Sequence, residues 1–351
     1  ASGVGGAGLD VDEVFDTFLY TSTGSTISVN NGIDLSGEGG LVWFKGRSTT
    51  REHFLYDTER GTSVALTSAG TNANLSIANA LTAFNSNGFN IGTYDSVNSS
   101  DVTTQVAWTF RKAKKFFDVV TYTGNSTNRT ISHNLGSVPG MMLIKKTSGT
   151  GNWMVYHRGA NGGTNPEQYY GKLNDVDAFS TLASAWNNTA PTSSVFSLGD
   201  QIHVNENGST YVAYLFAHNN NDGEFGSAQD QDIIKCGYYN GNGTTDGSNK
   251  ITLGFEPQFV FLKRSDGGAY YSQIIDSMRG MVSGGNDQII WGNVNSAENG
   301  TLNSVDATAT GFSVNDSGNS NLNGSTWIYT AIRRGPLAVP DDATKVFSVL
   351  T

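Results

Sequence analysis

The chain carries one cysteine, Cys236, in 351 residues. That excludes an intrachain disulfide framework. Cys236 lies in the strand-like run IIKCGYY and reads as a small buried hydrophobe. Charge is scarce as well: 15% of residues are Asp, Glu, Lys or Arg, against roughly 25% in ordinary globular chains. The balance is acidic, −10 at pH 7. Without clustered Lys and Arg this argues against nucleic-acid and anionic-membrane partners. The one basic run, RKAKK at 111–115, reads as a solvated linker. No apolar run approaches the roughly 18 residues of a membrane-spanning helix, so no membrane insertion is expected. The opening ASGVGGAGLD lacks the basic and apolar regions of a signal peptide and reads as a lead-in from elsewhere.

Patterns that carry chemistry are equally thin. His53, His133, His157, His203 and His218 form no HExxH pair. The chain has no GxSxG elbow and no P-loop Lys-Ser/Thr. Asp10, Asp12, Glu13 and Asp16 do not meet the EF-hand spacing. Among 31 acidic residues some pair will lie at glycosidase distance by chance, so carboxylates decide nothing here. The expectation is a non-enzymatic chain with no catalytic residue, no metal and no cofactor.

Repetition is what the sequence does have. Phe15 to Gly61, Phe116 to Gly159 and Asp232 to Gly280 follow one plan: strand, Gly/Asn turn, polar strand, hydrophobic strand ending in lysine, and a strand closing on Arg-Gly. The equivalent positions are read as Tyr20, Tyr122 and Tyr239; Lys45, Lys145 and Lys263; and Arg60, Arg158 and Arg279. Each copy then passes an apolar residue in a turn-rich stretch (Phe89, Phe196, Phe312) and ends on an aromatic strand (VAWTF, VAYLF, WIYTAI). The arginines stand 98 and 121 residues apart, a domain-sized period rather than a solenoid one. Because the Lys and Arg positions recur in every copy, they are expected to serve the common fold at the sheet rim rather than a site.

Short Tyr, Phe, Val, Ile and Thr runs bounded by Gly, Asn and Asp turns predict an all-β chain. One-sided sheets must bury that side on another sheet, so each copy is expected to be an antiparallel β-sandwich, jelly-roll or lectin/laminin-G-like. The expected divisions are a lead-in (1–14), repeat 1 (15–111), repeat 2 (112–218), a polar flexible linker (219–231), repeat 3 (232–335) and an extended tail (336–351). Within repeat 1, NANLSIANALTAF (72–84) is expected to form a short helix through Leu75, Ala78 and Leu81. Pro139 and Pro257 mark corners or edges. Most tryptophans fall inside strands and read as core. Trp186, Tyr169 and Tyr170 lie in loop-like stretches beside amides, the pairing that sugar-binding surfaces use, and are the candidate binding residues.

The strings LVWFKGR…FLYDTERG, LTAFNSNGF, VAWTFRKAKKFFDVVTYTGN, HNLGSVPG, GFEPQFVFLKR, DSMRG and IYTAIRRGPLAVP occur in consecutive order. With them the chain resembles tail-fibre-like structural proteins of marine phages, cyanophages especially, over roughly residues 14 to 348. The resemblance implies a virion protein on the particle surface. Its partners would be other virion proteins and copies of itself, a homotrimer foremost, and it would attach to a host-surface glycan or protein. It transfers no catalytic residues. Two alternatives stand beside it: a purely structural capsid-decorating or tail-adaptor protein, and a polysaccharide depolymerase.

Overall fold

The structure, a computed structural model, describes residues 8–337. Residues 1–7 of the lead-in and 338–351 of the expected tail lie outside the described residues. The chain is all-β, built of antiparallel sheets with only single-turn helices between them.

Each repeat builds its main sheet in the same order. In repeat 1 the strands run Phe15–Thr21, Thr104–Arg111, Gly40–Gly46, Phe54–Asp57, so the first strand pairs with the last and the last with the hydrophobic one. Repeat 2 follows with Phe117–Thr123, Thr210–Ala217, Pro139–Lys146, Met154–His157, and repeat 3 with Ile234–Asn240, Thr326–Arg333, Pro257–Arg264, Gln273–Asp276. The registers agree: Phe15 faces Phe110, Phe117 faces Phe216, and Ile234 faces Ile332. Pro139 and Pro257 each open a strand at a register shift, where a missing N–H costs no ladder bond. A smaller sheet forms the second layer of each sandwich, around Ile27–Asn30, Arg129–Ser132 and Asn249–Thr252.

The hydrophobic strands lack polar alternation because both their faces are buried, and the alternation survives as a choice of core. In repeat 1, Val42 and Phe44 enter the core between the two sheets of their own sandwich, whereas Leu41 and Trp43 enter another. In repeat 3, Val260 and Leu262 go one way, Phe259 and Phe261 the other. The second destination is shared: Trp43, Phe110, Leu143, Phe216, Phe261 and Ile332 belong to one cluster drawn from all three repeats. Phe110 meets Phe216 at 5.5 Å and Phe259 at 6.0 Å between ring centroids, so rings from three copies touch. The three sandwiches therefore stand around a common apolar centre rather than in a row.

Two stretches differ from expectation. Residues 72–84 hold strands Leu75–Ser76 and Leu81–Asn85 instead of a helix. The Leu81–Asn85 strand hydrogen-bonds to Gly88–Ile91, and that pairing outweighs the weak helical spacing. The 219–231 segment is not a free linker. Asn219 is buried, donates to the Lys115 carbonyl and accepts from the Ile233 and Ile234 amides, and Phe225 sits in the shared core. The basic run at 111–115 is likewise ion-paired, Arg111 to Glu38, Lys112 to Glu59 and Lys115 to Glu224.

Candidate functional site

The recurrent tyrosines have the same surroundings. The hydroxyls of Tyr20, Tyr122 and Tyr239 donate to the carbonyls of Val97 (2.8 Å), Val204 (2.8 Å) and Ser320 (2.6 Å). Next to them lies a triplicated residue that the sequence reading missed. Asn98, Asn205 and Asn321 are all fully buried. Each side-chain oxygen accepts from the amide of the first turn, at Thr23, Asn125 and Asn242, and each side-chain NH2 donates to two carbonyls. The available signal was an Asn five or six residues before each closing strand. Replacing Asn205 by Ala strands an amide and two carbonyls, and is expected to cost about 2 kcal/mol in a urea titration. Asn98→Ala and Asn321→Ala are expected to cost similar amounts.

The recurrent lysines are nearly or fully buried and reach into a neighbouring repeat. Lys45 Nζ donates to the Ser296 carbonyl of repeat 3 at 2.8 Å, Lys145 to the Thr71 carbonyl of repeat 1 at 3.2 Å, and Lys263 to the Asp175 carbonyl of repeat 2 at 2.7 Å. Burial pulls each ammonium down to about 8. The direction is cyclic, each repeat capping the rim of another, so these lysines are interior fasteners closed to a ligand.

The arginines part company. Arg60 and Arg279 each stand three residues after a fully buried aspartate, Asp57 and Asp276, and bind it at 2.6 Å. Both pairs grip the next repeat. The Tyr214 hydroxyl accepts from Arg60 at 3.0 Å and donates to Asp57 at 2.7 Å, while the Trp108 indole donates to Asp276 at 2.9 Å beneath the Arg279 guanidinium. In repeat 2 the register places His157 where the other copies have Asp57 and Asp276, opposite Met141, Leu41 and Phe259. Arg158 follows it directly and is not the equivalent of Arg60 and Arg279. It is exposed, and it is the one arginine among the described residues whose guanidinium has no hydrogen bond or ion pair. At this junction His157 instead donates through Nε2 to the Tyr329 carbonyl of repeat 3, at 3.0 Å.

Two adjoining recesses that share Arg158, Gly163 and His218 lie here, one lined by repeats 2 and 3 and the other by repeat 2 and the 219–231 segment. Tyr238, which is 44% exposed, forms one wall, and Tyr156, Val138 and Asn220 line the other end. Glycine lets the two repeats approach. A Cβ on Gly159 would lie 2.7 Å from the Gly237 carbonyl, and one on Gly163, whose φ is +77°, 3.1 Å from the Tyr238 ring. His218 accepts the Cys236 amide at Nδ1 (3.1 Å), which places the proton of the neutral ring on Nε2. Burial, and after it the charges of Arg158 and Lys235, hold His218 down at about 4, so it is neutral. Cys236 is buried as expected, and its thiol, pushed up to about 12 by burial, contacts Thr330 and the Ala217 carbonyl. It has neither the low pKa nor the exposure of a nucleophile.

The aromatic candidates lie elsewhere. Trp186 is 1% exposed, with its indole N–H donating to the Tyr169 carbonyl, so it is a core residue and not a loop platform. Tyr169 and Tyr170 belong to the strand Tyr169–Lys172 and pack against the core. The apolar centre leaves a void of about 10 Å³, the lower limit for one water. No cluster of three or more His, Cys, Asp or Glu side chains able to hold a metal occurs among the described residues.

The fold defines an all-β protein of three sandwiches closed into a ring. Residues 10–336 match the family described as a domain of unknown function, DUF7483, and the chain belongs to that family. No curated protein matches it.

Proposed function

We propose that the chain is a non-enzymatic component of a virion tail fibre or related appendage that attaches to glycans on a host surface. The virion part of this reading rests on the ordered strings shared with phage tail-fibre-like proteins. The attachment part rests on one observation: the junction of repeats 2 and 3 forgoes the Asp–Arg clamp used at the other two and leaves an exposed groove with Tyr238 and an unpaired Arg158. A tyrosine face stacks on the apolar face of a sugar while amides and hydroxyls take its hydroxyl groups. Single contacts of this kind are weak and gain strength when several copies act together on one particle, as in a symmetric fibre.

A glycan array combined with an assay for newly released reducing ends tests the reading. Binding with no release of reducing ends is the expected outcome. Release of reducing ends would make the protein a depolymerase, and absence of binding would leave a purely structural decorating or adaptor protein.

A further inference from the structure

We propose that the groove between repeats 2 and 3 recognises an acidic sugar, with a carboxylate or sulfate held by Arg158 and the sugar ring laid against Tyr238. This rests on the glycan reading above and adds the charge of the ligand.

Most charges around the groove are paired within the protein. Lys115 at one end of the groove is paired with Glu224 at 2.9 Å and lies 4.0 Å from Asp222. Lys235, whose charge acts on His218, is paired with Asp232 at 3.3 Å. Arg158 alone is left with five N–H donors and no protein acceptor, at the point where the two recesses meet. A guanidinium presents its donors as a planar fork that fits the two oxygens of a carboxylate, or two of a sulfate, in parallel. Its field also reaches the groove lining: after burial, the Arg158 charge is the next cause of the low pKa of His218.

A second donor faces the same space. His218 lines both recesses, its Nδ1 is occupied by the Cys236 amide, and its Nε2–H has no acceptor among the described residues. A cation and a neutral N–H donor suit an oxyanion better than a neutral hydroxyl. The carboxylate lining the recess, Asp222, accepts the Asn220 amide and lies 4.0 Å from Lys115. Tyr238 supplies the flat wall beside them, held against the left-handed turn of Asn161, Gly162 and Gly163. The net charge of −10 makes this local positive site stand out from the rest of the surface.

The test is titration calorimetry of the full chain with four probes: tetragalacturonate, its methyl ester, a sulfated galactose tetrasaccharide and neutral cellotetraose. The expected result is that at least one acidic probe binds about tenfold or more tighter than its neutral counterpart, the factor expected of a charge-assisted hydrogen bond. Whether tetragalacturonate or the sulfated probe gains identifies carboxylate or sulfate as the recognised group. Arg158→Ala is expected to abolish the preference, Arg158→Lys to keep part of it, and Arg129→Ala, at an arginine bonded to the Thr123 carbonyl, to leave it unchanged. Tyr238→Ala is expected to weaken acidic and neutral probes alike. Equal binding of acidic and neutral probes, or an undiminished preference in Arg158→Ala, would overturn the inference while leaving the glycan reading in place. Failure of every probe to bind would overturn both.

Discussion

Asp276→Ala is expected to remove about 3 kcal/mol of stability, the low end for a broken buried ion pair, because it leaves a buried guanidinium without its nearest partner. The Asp276 and Arg279 side chains are both fully buried. The carboxylate receives Arg279 Nε at 2.6 Å, the Arg279 amide at 3.0 Å and the Trp108 indole at 2.9 Å. Removing it breaks the turn that ends the Gln273–Asp276 strand and one of the contacts that join repeat 3 back to repeat 1. Glu298 would still hold Arg279 Nη1 at 2.9 Å, so part of the guanidinium stays paired and the loss falls short of a fully orphaned charge. The double variant Asp276→Leu/Arg279→Met is expected to behave differently. Replacing both partners by apolar side chains of similar volume removes the desolvation cost together with the attraction, and such swaps are often neutral or stabilising. Urea denaturation should therefore place the double variant well above the single one. If the two are equally unstable, the clamp matters for its shape and not for the buried charge.

The second large effect is a pair of opposite pH slopes. His157 is fully buried and held down at about 3, first by burial and then, against the help of its bond to the Tyr329 carbonyl, by Arg158. Its unfolded value is about 6.5. Between those values the unfolded chain binds a proton that the folded chain refuses, so stability falls as pH drops below 6.5. Asp287 is the reverse case. It is fully buried, and burial, opposed by bonds from the Val305 and Ser304 amides, raises it to about 7. Here the folded chain holds a proton that the unfolded chain releases. This favourable contribution is complete below the unfolded value near 3.8 and is lost as pH rises through 7.

Each slope is worth about 3 kcal/mol between pH 7.5 and pH 4.5 at 1.36 kcal/mol per pKa unit. Because they cancel in the parent, the measurement is a double difference. Going from pH 7.5 to pH 4.5, His157→Gln should gain about 3 kcal/mol relative to the parent and Asp287→Asn should lose about as much. Parallel pH curves for parent and variants would show that neither group titrates as its surroundings dictate. Asp16, raised to about 6 mainly by burial, adds to the Asp287 slope, and His53, lowered to about 3 mainly by burial, adds to that of His157.

The division of labour among the three junctions connects the fold to the groove. Two junctions are closed by an aspartate, an arginine and an aromatic donor from the next repeat. At the third, Thr330 stands in the strand position of Trp108 and Tyr214, and His157 replaces the aspartate. The ring still closes there, through His157 and the close approach of Gly159 to Gly237, but it no longer needs an arginine. Arg158 is therefore left to solvent at the one junction closed without an Asp–Arg pair.

What the sequence determined by itself is whatever recurs in a fixed order: the all-β class, the three copies, the tyrosine that anchors each first strand, and the lysine that ends each hydrophobic strand. Those features follow from local pattern, because strand period, turn chemistry and burial on both faces are written along a single stretch of chain. The Arg158 assignment failed because the string Arg-Gly recurs while its register does not. Only the pairing of Met141 with His157 reveals that the arginine falls two positions early. Trp186 failed for a similar reason, since a tryptophan among Asn, Ser and Thr reads as exposed until the core that covers it is known. The common apolar centre, the clamps between repeats and the groove were decided by tertiary structure alone. Each joins side chains from different repeats, 80 residues apart for Arg158 and Tyr238 and 168 for Trp108 and Asp276, and the direction in which a strand turns each of its two apolar faces depends on neighbours that no local period encodes.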